Sequence, residues 1–99
     1  MSVTVSLNQA DGGVPRCVIE GVLDFTTASS ALDKVSVFIP EHAALDIDLA
    51  GVTRANSAAL ALMIEWLATA RRTNSEVTFH HIPDGLRQLA VVCQVDGLI

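Results

Sequence analysis

A chain of 99 residues can bury one hydrophobic core but not two, so one domain spanning residues 1–99 is expected. Its net charge of −5 and pI near 4.8 oppose a phosphate backbone, and no basic stripe with interleaved aromatics offsets that; nucleic acid is not expected as a partner. Hydrophobic residues make up 51%, yet the longest unbroken apolar run, Ala58 to Ile64, falls well short of the roughly 20 residues of a membrane span, and direct membrane insertion is not expected.

The chain opens with Val3, Val5 and Leu7 alternating with Ser2, Thr4 and Ser6, the period of a half-buried strand. The segment lacks a basic stretch and a long apolar stretch, so no signal peptide is expected. Asp11-Gly12-Gly13 is a turn signal, and Arg16 to Leu23 is β-rich, which predicts a hairpin. Ala28, Leu32, Val35 and Ile39 mark one face of a first helix that Pro40 ends, although Val35 to Ile39 also reads as a strand. In Ala44 to Leu49, Leu45, Ile47 and Leu49 share one strand face and Asp46 and Asp48 the other. A short glycine-containing turn should follow, then a long helix from Ser57 to Arg72, with Asn74 at its C-terminal cap. Glu76 to His81 reads as a strand. Pro83 suits the first turn of a last helix, in which Leu86, Leu89, Ala90 and Cys93 share a stripe. The predicted order is β-β-α-β-α-β-α: an α/β fold with a mixed sheet, parallel in its α-connected part, and helices packed on one face.

Chemistry-bearing residues are scattered. Adjacent strand residues point to opposite faces, so His80 and His81 should not share an ion, and His42 has no ligand partner in sequence; no metal is expected. Asp46 and Asp48 share a face but have no nucleophile or further acid beside them, and Ser57 has no Gly-x-Ser-x-Gly elbow, so no enzymatic activity and no cofactor are expected. Asp48, at a strand end, is suited to anchor the loop carrying Ser57. Cys17 and Cys93 lack metal or redox spacing and read as reduced, buried thiols.

Asn56 and Ser57 stand where the long helix begins. Either side chain can cap the free N–H groups there; if Asn56 does so, Ser57 is left for a protein contact or for phosphorylation at the positive helix end. Arg54 could reach a partner carboxylate or remain a solvated loop charge. On the helix, Leu60, Ile64, Leu67 and the stem of Arg71 share the face expected to lie on the sheet. Ala58, Leu62 and Trp66 then form a second apolar ridge rising from Ser57. The expectation is that it stays uncovered and binds a partner together with Arg54, Asn56 and Ser57.

The element order and the run Asp48-Leu49-Ala50-Gly51-Val52-Thr53-Arg54-Ala55-Asn56-Ser57-Ala58-Ala59-Leu60 resemble the STAS domain family over essentially the whole chain. The continuation Leu60 to Arg72, the segment Ile82 to Ala90 and the ending Val95-Asp96-Gly97-Leu98-Ile99 are similar to the MlaB-type group. That resemblance implies a non-enzymatic cytoplasmic accessory subunit, peripheral to the inner membrane. Its partner would be the ATP-binding subunit of a phospholipid ABC transporter that maintains outer-membrane lipid asymmetry, in a membrane complex with permease and substrate-binding subunits. The family also implies an alternative, an anti-sigma factor antagonist switched by phosphorylation at Ser57. Phosphorylated family members usually have Asp before the hydroxyl residue and Gly two residues after it; this chain has Asn56 and Ala59.

Overall fold

The computed structural model describes residues 2–9 and 13–99; Asp11 and Gly12 of the predicted turn lie outside the described residues. Strands β1 (Val3–Asn8), β2 (Arg16–Leu23), β3 (Ala44–Ala55) and β4 (Glu76–His80) alternate with helices α1 (Ala28–Ser36), α2 (Ser57–Arg72) and α3 (Asp84–Val92) in the predicted order, and a 3₁₀ turn, Asp96–Leu98, follows. The four strands lie in the order β1-β2-β3-β4. β1 pairs antiparallel with β2, while β2–β3 and β3–β4 are parallel. Both parallel connections therefore step the same way across the sheet. Because such crossovers share one hand, both connecting helices fall on one face. The burial pattern agrees: Leu45, Ile47 and Leu49 are buried, whereas Asp46 and Asp48 are only half-buried.

β3 runs past the predicted turn to Ala55 because β2 keeps pairing with it. The register widens twice, between Val18 and Glu20 and between Gly21 and Val22, and the strands still end side by side at Leu23 and Ala55. The second irregularity depends on Gly21, whose φ is +101°; a Cβ there would meet Ser2 O at 2.5 Å. Val35 and Ile39 are buried on the helical spacing, so the first helix, not the alternative strand, forms there, ending at Ser36.

Both longer C-terminal turns close in the same way. After α2, Asn74 takes φ 55°, and Ser75 N donates to Ala70 O at 2.8 Å. After α3, Gln94 takes φ 60°, and Val95 N donates to Ala90 O at 2.9 Å. These are left-handed helix terminations that satisfy carbonyls which would otherwise lack partners. The second one turns the chain at Cys93, so the buried stripe of α3 stops at Ala90. Cys93 is exposed, contrary to expectation, while Cys17 is buried and its thiol is pushed up to about 11 by desolvation.

The largest correction concerns α2. Its most deeply buried stripe is Ala59, Met63, Trp66 and Ala70; of the face expected on the sheet, Leu60 is buried, but Ile64 and Leu67 are only half-buried and Arg71 is exposed. The helix is turned by one residue position, roughly 100°. Ala59 and Ala70 let the backbone approach the sheet, and Met63 and Trp66 fill the space between them. α1 and α3 both pack on α2, and Ala58 and Leu62 are covered on its flanks, Leu62 to 6% exposure. The predicted ridge Ala58-Leu62-Trp66 therefore belongs to the interior, and Ile64, expected in the core, lies half-buried at its margin.

Trp66 is fully buried, and its indole Nε1 has no hydrogen-bond partner among the described residues. Leaving such a donor dry costs about 1–3 kcal/mol, which the burial of the ring must offset. Trp66→Ala is expected to remove about 3–5 kcal/mol of stability, a large share of the 5–15 kcal/mol of an ordinary domain. Trp66→Phe, which deletes the unsatisfied donor and keeps most of the ring, is expected to cost under about 2 kcal/mol. Denaturant titration of both variants measures the difference; a Trp66→Ala variant as stable as wild type contradicts this packing.

Candidate functional site

No reversal of strand order creates a crevice in this sheet, so the site has to be sought on the loops at the C-terminal ends of the parallel strands. Three loops meet there: Asp24 to Thr27 after β2, the β3–α2 junction around Asn56, and His81 to Pro83 after β4.

The β3–α2 junction is built as a helix start. Asn56 is extended, at φ −137°, and its Oδ1 accepts from Ala58 N at 2.9 Å. Asn56 is thus the cap, and the first helical residue, Ser57, presents its hydroxyl at the positive end of a 16-residue helix. Arg54, Asn56 and Ser57 are all exposed. Beside them, Val52, Ala55, Pro83, Leu86 and Leu89 line a hollow of about 120 Å³ between the end of β3 and the start of α3. Of the residues expected to meet a partner, the structure brings Arg54, Asn56 and Ser57 together on the surface. It withdraws Ala58, Leu62 and Trp66 into the core.

The β2–α1 loop is tightly held. Asp24 Oδ1 accepts from Thr26 Oγ1 at 2.6 Å and from Thr26 N at 2.9 Å. Thr27 Oγ1 accepts from Asp24 N at 3.1 Å and donates to Val22 O at 2.8 Å. The Thr26 hydroxyl holds the Asp24 carboxyl below the usual carboxylate range, and the nearby Arg54 charge adds to this. At the tip stands Phe25, 73% exposed, a residue the sequence reading passed over. The available signal was a large apolar side chain inside a polar turn, Asp24-Phe25-Thr26-Thr27.

A second polar cluster occupies the uncovered face of the sheet. Arg16 Nη1 donates to Asp48 Oδ2 at 2.9 Å, and its Nη2 lies 3.9 Å from Asp46 Oδ2. His80 Nε2 lies 3.1 Å from Asp46 Oδ1, without aligned hydrogen-bond geometry. His81 Nδ1 lies 2.9 Å from Asp48 Oδ1. The two imidazoles were expected on opposite faces, but β4 ends at His80 and His81 takes φ 58°. That left-handed turn swings its ring to the same side, with the ring centroids 6.4 Å apart. Arg16 stands between the two carboxylates and offsets part of their charge, and among the described residues no group of three or more His, Cys, Asp or Glu is arranged to hold a metal. Asp48 also accepts from Ala50 N at 2.9 Å, so it ties β2, β3 and the β4–α3 corner together.

A larger hollow, about 440 Å³, lies toward the C-terminal end of α2, between Ile64, Leu67, Ala68, Arg71, Val77 and Leu98. Volume alone does not make it the better candidate: its wall is mostly apolar, with Arg71, Ser75 and Glu76 its polar members, and it lies away from the loops at the C-terminal ends of the parallel strands.

Burial works against ionisation of Asp48 and is the strongest single influence on it. The Ala50 N–H, the His81 ring and the Arg16 guanidinium together outweigh burial and hold the carboxyl below its ordinary value. A folded-state pKa below the unfolded one, roughly 3.9, means that the ionised carboxylate stabilises the fold above that pH. The contribution disappears as pH falls through the lower folded value. Asp48→Asn is therefore expected to lower the denaturation midpoint more at pH 7 than at pH 3. Equal losses at the two pH values contradict this role.

The fold is shared by known proteins. A solved anti-sigma factor antagonist from Mycobacterium paratuberculosis superposes with a TM-score of 0.78 at 19% identity, covering 98% of this chain and 82% of that one. The phosphorylated form of the Bacillus cell fate determinant SpoIIAA gives 0.70 at 10% identity, covering 95% and 86%. Its unphosphorylated form gives 0.66 at 11%, covering 87% and 80%. At such identities the likeness is one of fold. No curated protein matches the sequence. A family model described as "Mlab, STAS domain" matches residues 6–99, nearly the whole chain, and the protein accordingly belongs to the STAS domain family, in the group which that model describes.

Proposed function

We propose that this domain is a non-enzymatic accessory subunit that docks through its Ser57 end on the ATP-binding subunit of a phospholipid ABC transporter maintaining outer-membrane lipid asymmetry. The match of residues 6–99 to the Mlab-type family model is the observation that carries this reading. The exposure of Arg54, Asn56 and Ser57 on a capped helix start supports it, because a rigid surface loses little entropy on binding. Among the described residues no helix is long and apolar enough to cross a membrane, and in this reading the chain reaches the inner membrane through its partner, alongside permease and substrate-binding subunits. A rigid end that fits one conformation of the ATPase better than another shifts the population toward that conformation without chemistry of its own.

A second reading, an anti-sigma factor antagonist, is favoured by the solved structures of that kind that share the fold. In it, phosphate on Ser57 would lie at the α2 N-terminus within the field of its free N–H groups. Asn56 and Ala59, where phosphorylated family members usually have Asp and Gly, weigh against a kinase accepting this loop.

The division of labour between cap and contact is testable. Asn56→Ala is expected to lower stability by about 1 kcal/mol. Ser57→Ala should leave stability within about 0.5 kcal/mol of wild type and weaken partner binding by about 1 kcal/mol, the scale of one neutral hydrogen bond. Ser57→Arg should melt like wild type and lose the ATP-binding subunit. Calorimetric titration against that subunit and thermal melts measure these effects; unimpaired binding by Ser57→Arg contradicts the docking end. A phosphorylated pool at Ser57 in the native cell, read by intact mass with phosphatases inhibited, would favour the second reading.

A further inference from the structure

We propose that Phe25 is the anchor of the partner interface, a preformed aromatic knob that enters an apolar pocket on a folded protein, with Arg54 beside it meeting a carboxylate on the rim of that pocket. The proposal rests on the reading of the Ser57 end as the docking end. It adds the residue that supplies most of the affinity and the chemistry of the surface that receives it.

Register places the knob. β2 and β3 are parallel and stop together at Leu23 and Ala55. Phe25 and Ser57 each lie two residues beyond that last pair, so the two loops leave the sheet as neighbours. Val22 pairs with Arg54 and Leu23 with Ala55, which sets the base of the Phe25 loop next to the approach to Ser57.

Rigidity makes the ring an anchor and not a loose side chain. Asp24, Thr26 and Thr27 close the turn through hydrogen bonds of 2.6 to 3.1 Å, and the Thr27 side chain, itself buried, ties the turn to Val22 O. The backbone under Phe25 is thus fixed before any partner arrives, and little ordering entropy remains to be lost. Yet the ring is 73% exposed, while Trp66 is buried and Phe38 and Phe79 are half-buried; the other exposed apolar side chains, such as Val92 and Leu98, are smaller aliphatic ones. A bare ring on a fixed backbone gains on entering a pocket and gains nothing in the free domain.

Charge selects the kind of partner. The Asp24 carboxylate is already occupied by Thr26, whereas Arg54 is exposed to solvent. The chain as a whole carries −5, which disfavours both an anionic bilayer and a second copy of itself. Attraction to anionic lipid needs several cations close together, and this end offers one arginine beside an ionised aspartate. A protein surface that combines an apolar pocket with one carboxylate matches both groups.

The test compares wild type, Phe25→Ser, Phe25→Tyr and Ser57→Arg. Each is titrated against the ATP-binding subunit of the transporter and against an anti-sigma kinase from the same cell. Each is also sedimented alone and floated with phosphatidylglycerol-containing vesicles. The expected result is that Phe25→Ser melts like wild type but binds the partner at least about tenfold more weakly, and that Phe25→Tyr restores binding to within about threefold. If Ser57→Arg loses the partner while Phe25→Ser keeps it, the anchor is refuted and the docking end stands. Wild type that binds neither protein overturns both. A Phe25-dependent dimer or vesicle association, with partner binding intact, also refutes the anchor.

Discussion

The parallel pairing of β2 with β3 is the constraint on which the rest of this domain depends. It is the central seam of the sheet, buried on the helical side by Cys17, Ile19, Leu23, Leu45, Ile47 and Leu49. Its register is not uniform, and the widening near Gly21 is possible because that residue has no Cβ to meet the Ser2 carbonyl. At the end of the seam the two strands still pair side by side, Leu23 with Ala55. Their loops therefore emerge together, one carrying Phe25 and the other Arg54, Asn56 and Ser57. A seam out of register would separate these groups even if every element formed.

α2 then has two duties that its rotation separates. Its buried stripe, Ala59, Met63, Trp66 and Ala70, holds the helix in the core, and its first residue, Ser57, is left exposed. Capping by Asn56 satisfies Ala58 N without using Ser57. A helix start that is stable by itself can present a hydroxyl to a partner without losing stability when that hydroxyl is altered. The core and the candidate docking end share one helix but few side chains, which is how a small domain can vary its contacts while keeping its fold.

The uncovered face of the sheet is stabilised differently. Arg16, Asp46, Asp48, His80 and His81 form a chain of polar contacts across β2, β3 and the end of β4. Much of this chain is solvated, so each pair contributes modestly. Its structural value lies in Asp48, which is more shielded and also bonds Ala50 N where β3 continues toward Ser57. Asp48 was expected at a strand end, anchoring the loop that carries Ser57; it lies within β3 instead, and its three partners tie β2, β3 and the β4–α3 corner.

Much of the fold was legible in the chain because its signals are local. The alternation of Leu45, Ile47 and Leu49 with Asp46 and Asp48 is a property of a strand wherever it packs. Asn56, Asn74 and Pro83 mark helix ends through their own backbone and capping chemistry, and the exposed trio Arg54, Asn56 and Ser57 follows from such an end. The rotation of α2 was not legible. The helix is apolar over most of its circumference, so its periodicity admits more than one phase. Only the fit of Trp66 and Met63 between the sheet and the flanking helices selects one. The extension of β3 to Ala55 was likewise decided by pairing across the seam, and the side taken by His81 by a left-handed residue at the end of β4. Phe25 stayed hidden for the same reason: an aromatic residue in a polar turn looks like core until the tertiary structure leaves nothing above it. Local backbone chemistry is written in neighbouring residues; burial is a relation between distant ones, and only the folded chain can set it.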